Sequence, residues 1–428
     1  MNTPRTHRTP RRSLLAAVAL AAGSALLLSA CGGTDEAAGS AHQQLAGGKS
    51  EEGGKAGKPA EPESAPDSVI TVTPEDGARN VGINRGTKVT VAKGTLTGVV
   101  LKDAAGTEVP GTVAADGRSW APDSALRRGT DYSLVAKAKD GRGRISTSHS
   151  DFSTVSAAGS FIGHFQSDIE GATVGGGMYP SITFDKPVVN KALVESRITA
   201  SASSGQRLVG HWFGDRRLDL RPQTYFAPGT RVTFHLDLDG VEASPGVVGV
   251  QDRWVSYTVG RTQVSTVDVA ARTMTVVRDG VVVKTVPISA GSAENPTYNG
   301  TMTISEKFKE TRMDGSTVGF VDDKGESDYD IADVPHAMRL STSGTFIHGN
   351  YWGGKDVFGN VNTSHGCVGL RDVQGAGDAS TPGAWFYENS LIGDLVVVKN
   401  SPDRTISPDN GINGWSMDWA AWTAGSAL

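Results

Sequence analysis

Residues 116–134, DGRSWAPDSALRRGTDYSL, return one hundred positions later as residues 215–234, DRRLDLRPQTYFAPGTRVTF. The dipeptide Gly-Thr stands at 129–130 in the first copy and at 229–230 in the second. An earlier pair, Asp76-Gly77-Ala78 and Glu170-Gly171-Ala172, keeps a similar offset. Self-similarity at a fixed period indicates a repeated structural unit. The sequence therefore predicts two tandem copies of a module of about 100 residues, the usual size of a β-sandwich.

The composition of these copies is that of β structure. Apolar and polar residues alternate in short runs between Gly, Asp and Pro turns, as in 69–73, 89–91 and 132–138, and helical periodicity is scarce. We therefore predict a mainly β fold with two tandem immunoglobulin-like sandwich domains, at 68–156 and 157–260. Neither copy has the paired cysteines of antibody domains, and neither clusters an acid, a base and a nucleophile. Both are interpreted as spacers, with wall binding as the alternative.

A third, β-rich unit is predicted at 261–399. Its apolar runs 262–267, 273–278 and 281–286 indicate strands, and Asp279-Gly280 between two of them is a strong hairpin signal. The polar, Gly-rich sequence between Ser305 and Ser343 predicts a long irregular segment, of the kind that is usually a functional lid or a disordered excursion. A helix is expected at 382–390 and a closing strand at 395–398. A short Trp-rich extension, 400–428, follows.

The N-terminus predicts export. The first thirty residues carry four arginines and no acid, and an apolar run too short to span a membrane ends in Leu28-Ser29-Ala30-Cys31. This tetrapeptide resembles a bacterial lipobox, which implies a signal peptide at 1–30 and lipid on Cys31. Ordinary cleavage near Ala30 with an incidental cysteine is the alternative. Residues 31–67, rich in Gly, Ala, Ser, Glu and Lys, predict a flexible linker.

The charge balance excludes one class of partner. Without the predicted signal peptide, the chain has 37 basic residues against 46 acidic ones, a net charge of about −9. Nucleic acid is therefore not an expected partner, because its binding requires a basic surface.

Cysteine usage points to chemistry. The chain has two cysteines, and an exported protein usually pairs them as disulfides. If Cys31 carries lipid, Cys367 is an unpaired thiol. It ends the tetrapeptide Ser364-His365-Gly366-Cys367 and lies nineteen positions after His348. A thiol is a useful nucleophile at neutral pH when its pKa is lowered or when imidazole takes its proton. A buried, inert cysteine is the structural alternative.

The residues around Cys367 suit acyl transfer. Gly366 allows a backbone turn that other residues avoid, and consecutive amide N–H groups there could converge on an oxyanion. A rival hypothesis is a zinc site, since imidazole and thiolate are preferred zinc ligands. The spacing matches no common zinc signature. Its ligands would be His336, His348, His365 and Cys367.

The motif resembles the active-site signature of the L,D-transpeptidases with a YkuD-type catalytic domain. Further segments resemble this family in the same order: Val286–Gly291, Asn299–Thr301, Met313–Thr317 and Gly344–His348. The resemblance is strong over 261–399. The two modules and the tryptophans of the tail, Trp415, Trp419 and Trp422, resemble the multidomain actinobacterial members.

The resemblance implies a role for each site residue. Cys367 is the nucleophile, His348 its general base, and the Gly349 carbonyl orients the imidazole. The amides of His365, Gly366 and Cys367 are expected to form the oxyanion hole. Gly369 stands where many members have Asn or Arg, and Arg371 is a candidate replacement. The implied substrate-binding residues are Tyr329, Ser364, Met313, Trp352 and Asn362.

The resemblance also implies the reaction and the location. The expected substrates are peptidoglycan stem peptides, joined by 3→3 cross-links through a thioester on Cys367, without metal or other cofactor. Carbapenems are expected to acylate the same cysteine. The expected location is the outer face of the cell membrane. Two alternatives stay open, namely an L,D-carboxypeptidase, in which water is the acceptor, and a non-catalytic lipoprotein that binds peptidoglycan.

Overall fold

A computed structural model describes residues 65–166 and 169–428 of the chain. The predicted signal peptide, nearly all of the predicted linker and Cys31 lie outside these residues. None of the described helices is long and apolar enough to cross a membrane.

The first module is a sandwich of two four-stranded sheets, β1-β2-β6-β5 and β4-β3-β7-β8. In β7, buried and accessible residues alternate, which is the pattern of a strand with one face on a core. The core contains Trp120, Tyr132 and Leu134. The strands are β1 Val69–Thr73, β2 Lys88–Ala92, β3 Thr95–Asp103, β4 Glu108–Val109, β5 Gly111–Val113, β6 Ser119–Pro122, β7 Asp131–Lys139 and β8 Ile145–Ser153.

The second module has two four-stranded sheets, β10-β12-β15-β14 and β11-β19-β16-β13, and a small sheet β17-β18-β9. The mainly β fold with two sandwiches is therefore confirmed. Its elements are β9 Ser160–Phe161, β10 Gly163–Phe165, β11 Thr173–Gly175, β12 Ser181–Phe184, α1 Lys191–Ser196, β13 Ile198–Ala202, β14 Val209–Phe213, β15 Arg217–Arg221, β16 Arg231–Asp237, β17 Glu242–Ser244, β18 Val247–Gly249 and β19 Asp252–Arg261.

The internal repeat appears in the structure as the same turn made twice. Gly129 and Gly229 both have positive φ, 60° and 80°. The Gly129 N–H donates to Val155 O at 2.9 Å, and the Gly229 N–H donates to Val259 O at 2.7 Å. Core side chains also recur one hundred positions apart. The buried pairs are Trp120 and Leu220, Leu126 and Phe226, and Leu134 and Phe234.

The third unit packs a five-stranded sheet, β22-β21-β20-β28-β23, and a four-stranded sheet, β24-β25-β26-β27, around one apolar core. The hairpin at Asp279-Gly280, the helix and the closing strand lie where the sequence predicts them. The elements are β20 Gln263–Asp268, β21 Thr273–Arg278, β22 Val281–Pro287, β23 Gly300–Thr303, β24 Glu306–Asp314, β25 Asp330–Arg339, β26 Phe346–Asn350, β27 Val368–Arg371, α2 Pro382–Glu388 and β28 Leu395–Lys399.

The expectation of a long irregular segment between Ser305 and Ser343 is wrong. Strands β24 and β25 occupy most of it, and only residues 315–329 between them are irregular or 3₁₀-helical. The prediction failed because the polar residues were interpreted as a loop, whereas several of them form ion pairs between strands β24 and β25. Arg312 pairs with Asp330 at 2.6 Å, and Arg339 pairs with Glu306 at 2.7 Å.

The C-terminal extension packs against the second sandwich. Its helix α3, Trp419–Thr423, places Trp422 fully buried in that core. The Arg221 guanidinium lies 4.4 to 5.2 Å from the ring centroids of Trp415, Trp419 and Trp422. Asn413 links the extension to the third unit, since its Oδ1 accepts from the Thr303 N–H at 3.1 Å. The extension therefore joins the second sandwich to the third unit.

Candidate active site

Two neighbouring strands bring His348 and Cys367 together. His348 lies in the middle of β26, whose five residues are all buried, and Cys367 directly precedes β27. The strands run parallel, with His348 beside Gly369. Residues two apart in a strand share a face, so Cys367 and His348 project from the same side of the sheet. Both line one cleft.

Most of the predicted substrate residues line the same cleft. Of the five named from the sequence, four are present there, namely Tyr329, Ser364, Met313 and Trp352. His365 lines it as well. Further lining residues that the sequence analysis did not single out are Ser289, Ile331, Val334, Asn350 and Thr363. Ile331 and Val334 were missed because β25 was interpreted as a loop. Asn350 could have been found, since it lies two positions after His348 in the same strand.

The imidazole of His348 is held in one tautomer. Its Nδ1 lies 2.8 Å from the Gly349 carbonyl oxygen, so Nδ1–H donates and Nε2 carries the lone pair. The Trp352 ring stacks on the imidazole, with 5.7 Å between centroids and 17° between planes. Burial lowers the pKa of His348 below its usual value of 6.5. His348 is therefore a neutral imidazole at pH 7, ready to accept a proton.

The Cys367 thiol is more enclosed than expected. The residue is 9% exposed and packs against Val334, Ala337 and Phe346. Its Sγ–H donates to the Gly344 carbonyl oxygen at 3.5 Å. Burial raises the pKa of Cys367 to about 11. The thiol is therefore protonated at neutral pH, and its reactivity depends on transfer of its proton rather than on a preformed thiolate.

The loop before Cys367 is closed by Ser364. Its Oγ donates to the Cys367 carbonyl oxygen at 2.6 Å and accepts from the Gly366 N–H at 3.2 Å. Gly366 has a φ of 111°, the type of conformation predicted for it. Ser364 thus shapes the loop. Because its oxygen already receives the Gly366 N–H, that amide has a competing partner for its role in an oxyanion hole.

The β24–β25 hairpin covers the cleft from one side. Tyr329, at its tip, lies 5.0 Å from the ring of His365, and Phe320 lies 5.4 Å from the same ring. Burial raises the pKa of Tyr329 to about 12, and the negative charge that Cys367 acquires at alkaline pH contributes to this shift. Tyr329 is therefore a neutral hydrogen-bonding group in the cleft that Cys367 also lines.

Two residues lie elsewhere than expected. Asn362 is not among the cleft-lining residues. Its side-chain amide forms hydrogen bonds with backbone groups instead. Its Oδ1 accepts from the Ala290 N–H at 2.9 Å, and its Nδ2 donates to Val269 O at 3.1 Å. Asn362 thus anchors the loop rather than facing substrate. Arg371 is exposed at the end of β27 and does not line the cleft either.

The residues of the rival zinc hypothesis have separate partners. His336 bonds Asp372 at 2.7 Å, His348 bonds Gly349 O, and His365 contacts aromatic rings. Within 65–166 and 169–428, the triads close enough to share a metal ion lie in the sandwiches. These triads are Asp76, His149 and Asp151, and His235, Asp237 and Asp252.

Comparison with known proteins agrees with this geometry. Residues 262–398 match the L,D-transpeptidase catalytic domain, and residues 78–242 match a bacterial Ig domain. The chain is 30% identical to L,D-transpeptidase 2 of Mycobacterium tuberculosis (strain CDC 1551 / Oshkosh) over 358 residues. The match covers 84% of this chain and 85% of the relative. The chain belongs to the L,D-transpeptidase family. The family and the enzyme class predicted from the sequence are thus confirmed.

Other L,D-transpeptidases resemble the chain over different lengths. L,D-transpeptidase 5 of Mycobacterium tuberculosis (strain ATCC 25618 / H37Rv) is 30% identical over 383 residues, covering 88% of this chain and 80% of the relative. A solved LD transpeptidase in complex with imipenem is 27% identical, with a TM-score of 0.45, and covers 54% of this chain and 96% of that one.

Proposed function

We propose that this L,D-transpeptidase forms 3→3 cross-links between peptidoglycan stem peptides, with Cys367 as nucleophile and His348 as general base. The observation that carries the proposal is the pairing of β26 with β27. In support, a thiol and an imidazole whose Nδ1–H donates to a backbone carbonyl share one face of a sheet and line one cleft.

The first step is acyl transfer to the enzyme. Nε2 of His348 accepts the Cys367 proton as the sulfur attacks the carbonyl carbon between the third and fourth residues of a tetrapeptide stem. The C–N bond breaks, and the imidazolium returns the proton to the departing D-alanine amine. A thioester remains on Cys367. Both groups start neutral, because burial raises the pKa of the thiol and lowers that of the imidazole.

The second step transfers the acyl group to an acceptor. The side-chain amine of a diamino acid on a neighbouring stem attacks the thioester carbonyl and loses a proton to His348. The C–S bond breaks, and the proton returns to Cys367. Each step exchanges one acyl bond for another, so the reaction consumes no nucleotide. The amides of the 365–367 loop are the proposed donors to the oxyanion in both steps.

The test is incubation of the purified enzyme with tetrapeptide stems, followed by mass spectrometry. We expect loss of D-alanine and appearance of a dimer joined between two third residues. Tripeptide alone would identify an L,D-carboxypeptidase with water as acceptor. Unchanged stems together with stable binding would instead identify a non-catalytic peptidoglycan-binding protein.

A carbapenem gives a direct test of the nucleophile. The strained β-lactam carbonyl is expected to acylate Cys367, adding the mass of the drug to the peptide that contains it. The matched control is Cys367→Ser, which keeps the shape and weakens the nucleophile. An adduct on any other residue would contradict the assignment.

We further propose an extracytoplasmic location, with lipid on Cys31 as the membrane anchor. The support is the sequence, because a peptidoglycan substrate lies outside the cytoplasm and Leu28–Cys31 resembles a lipobox. Cys31→Ala should move the protein from the membrane fraction to the medium in cells expressing it. Membrane retention of this variant would contradict the lipid anchor.

A further inference from the structure

A second histidine and a carboxylate lie buried behind the strand that carries His348. The side chain of Asp372 is 0% exposed and that of His336 is 3% exposed, and Nδ1 of His336 lies 2.7 Å from Oδ2 of Asp372. Neither residue lines the cleft. The pair is thus outside the machinery described above, although Asp372 follows β27 and His336 belongs to β25.

One member of this pair, His336, has an unfavourable backbone conformation. His336 has a φ of 50°, which lies in the left-handed region that is unfavourable for a residue with a side chain. Replacing both partners of a buried polar pair with apolar side chains of similar shape is often neutral or stabilising. Fold stability alone therefore gives no reason for this arrangement.

The Asp372 carboxylate lies directly against the peptide that orients His348. A Cβ atom on Gly349 would lie 2.2 Å from Oδ2 of Asp372, so the glycine makes room for the carboxylate. Gly349 supplies the carbonyl that accepts from His348 Nδ1. The Asp372 N–H donates to Asn350 O at 3.2 Å. Asp372 thus contacts the chain on both sides of the carbonyl that fixes the imidazole.

Asp372 is itself fixed by three donors. Its Oδ1 accepts from the Thr381 hydroxyl and from the Val373 N–H, both at 2.8 Å, and its Oδ2 accepts from His336. The titratable groups next to the pair are Tyr387, whose ring lies 5.1 Å from that of His336, and Lys307 above that tyrosine. On the cleft side, burial lowers the pKa of His348, whereas the hydrogen bond to Gly349 and the negative charge of Asp372 both act to raise it.

We propose that Asp372, held by His336, is a positioning residue for His348. Its carboxylate fixes the Gly349 peptide that orients the imidazole. Its charge also stabilises the imidazolium that forms when Nε2 accepts the Cys367 proton. This inference rests on the proposed function of His348. It assigns to the catalytic histidine a carboxylate that acts from behind the backbone rather than through a direct hydrogen bond to the ring.

The experiment is Asp372→Asn in the full-length enzyme, with two readouts across pH. The first is the rate constant for acylation of Cys367 by a carbapenem. The second is the NMR titration of the His348 ring, assigned with His348→Gln. We expect acylation about tenfold slower or more, with carbapenem binding before acylation little changed. We also expect the His348 titration to move to lower pH, because removing a negative charge disfavours the imidazolium.

Three controls separate this role from a structural one. Thr381→Val removes a hydrogen bond to Asp372 but leaves the charge, and it should lower the melting temperature without moving the His348 titration. Asp333→Asn removes a partly exposed charge of the same domain and should move neither readout. His336→Asn keeps a donor near Asp372 and tolerates positive φ, so it tests the fold at this position.

The outcomes are distinct. An unmoved His348 titration in folded Asp372→Asn would overturn the inference, as would an equal shift in Asp333→Asn. If Asp372→Asn does not fold, Thr381→Val decides, because a shift there would show that packing rather than charge sets the titration. If the wild-type enzyme is not acylated, the proposed function fails. The NMR titration still tests the effect of Asp372 in that case.

Discussion

Buried polar groups in the second sandwich differ from those in the catalytic cleft in how fully they are paired. Glu195 accepts from Trp212 Nε1 at 2.8 Å, Ser426 Oγ at 2.6 Å and Ala427 N–H at 2.8 Å. The Cys367 thiol makes a long hydrogen bond of 3.5 Å to the Gly344 carbonyl oxygen, and His348 is fixed through Nδ1 while Nε2 keeps its lone pair. Buried polar groups whose hydrogen-bonding capacity is fully used stabilise the fold. A group that keeps a free lone pair or a weakly bonded proton is available for chemistry.

The sharpest test of this comparison is Cys367→Ala. We expect complete loss of cross-linking, because no other described thiol lies in the cleft. We expect little loss of stability, since the hydrogen bond from the sulfur to the Gly344 carbonyl oxygen is long, at 3.5 Å, and a thiol is a weak donor. Product analysis by mass spectrometry and thermal unfolding of the same sample measure both. Retained cross-linking would refute the assignment of the nucleophile.

His348→Ala should have the next largest effect. Loss of a general base typically slows a reaction by about 10²- to 10⁴-fold, and here the thiol also needs its proton removed, since its pKa is about 11. Single-turnover acylation of Cys367 measures the rate constant. His365→Ala is the matched control, from the same cleft. Equal losses in the two variants would leave the base unidentified.

Glu195→Gln tests the saturated side of the comparison. The amide has one acceptor oxygen and a donor group where the carboxylate receives three hydrogen bonds, so one donor loses its partner. We expect the free energy of unfolding to fall by about 1–3 kcal/mol, with kcat unchanged in the folded enzyme. Denaturant unfolding and steady-state kinetics check this prediction. A fall in kcat well below the melting temperature would show that the second sandwich influences the site.

The sequence predicted what local pattern encodes. The repeat around Gly129 and Gly229 predicted two sandwiches, and the Cys367 motif with His348 predicted the family. Both predictions rest on short runs of neighbouring residues. It did not predict the burial of Cys367, which depends on Val334 from a hairpin interpreted as a loop. Nor did it reveal the bond between His336 and Asp372, because the two residues are 36 positions apart and only the sheet brings them together.

The pH dependence of acylation follows from the two pKa shifts. Only neutral His348 accepts the proton, so the rate should fall about tenfold for each pH unit below the His348 pKa. Because burial lowers that pKa, the plateau should extend to a pH below the usual 6.5. Rates of carbapenem acylation between pH 4 and about 9 measure the profile. A rate that keeps rising through the alkaline range would instead indicate attack by a preformed Cys367 thiolate.

The smallest effect is expected for His365→Ala. This ring contacts Tyr329 and Phe320, and its predicted part in the chemistry is its backbone N–H, which alanine keeps. Aromatic pairs contribute about 0.5–1.5 kcal/mol, so we expect kcat/KM to fall by less than about tenfold, mainly through weaker substrate binding. The pH profile should not move, because the proton is accepted by His348. A displaced profile would make His365 a participant in proton transfer and would remove the distinction between a residue that lines the cleft and one that acts in it.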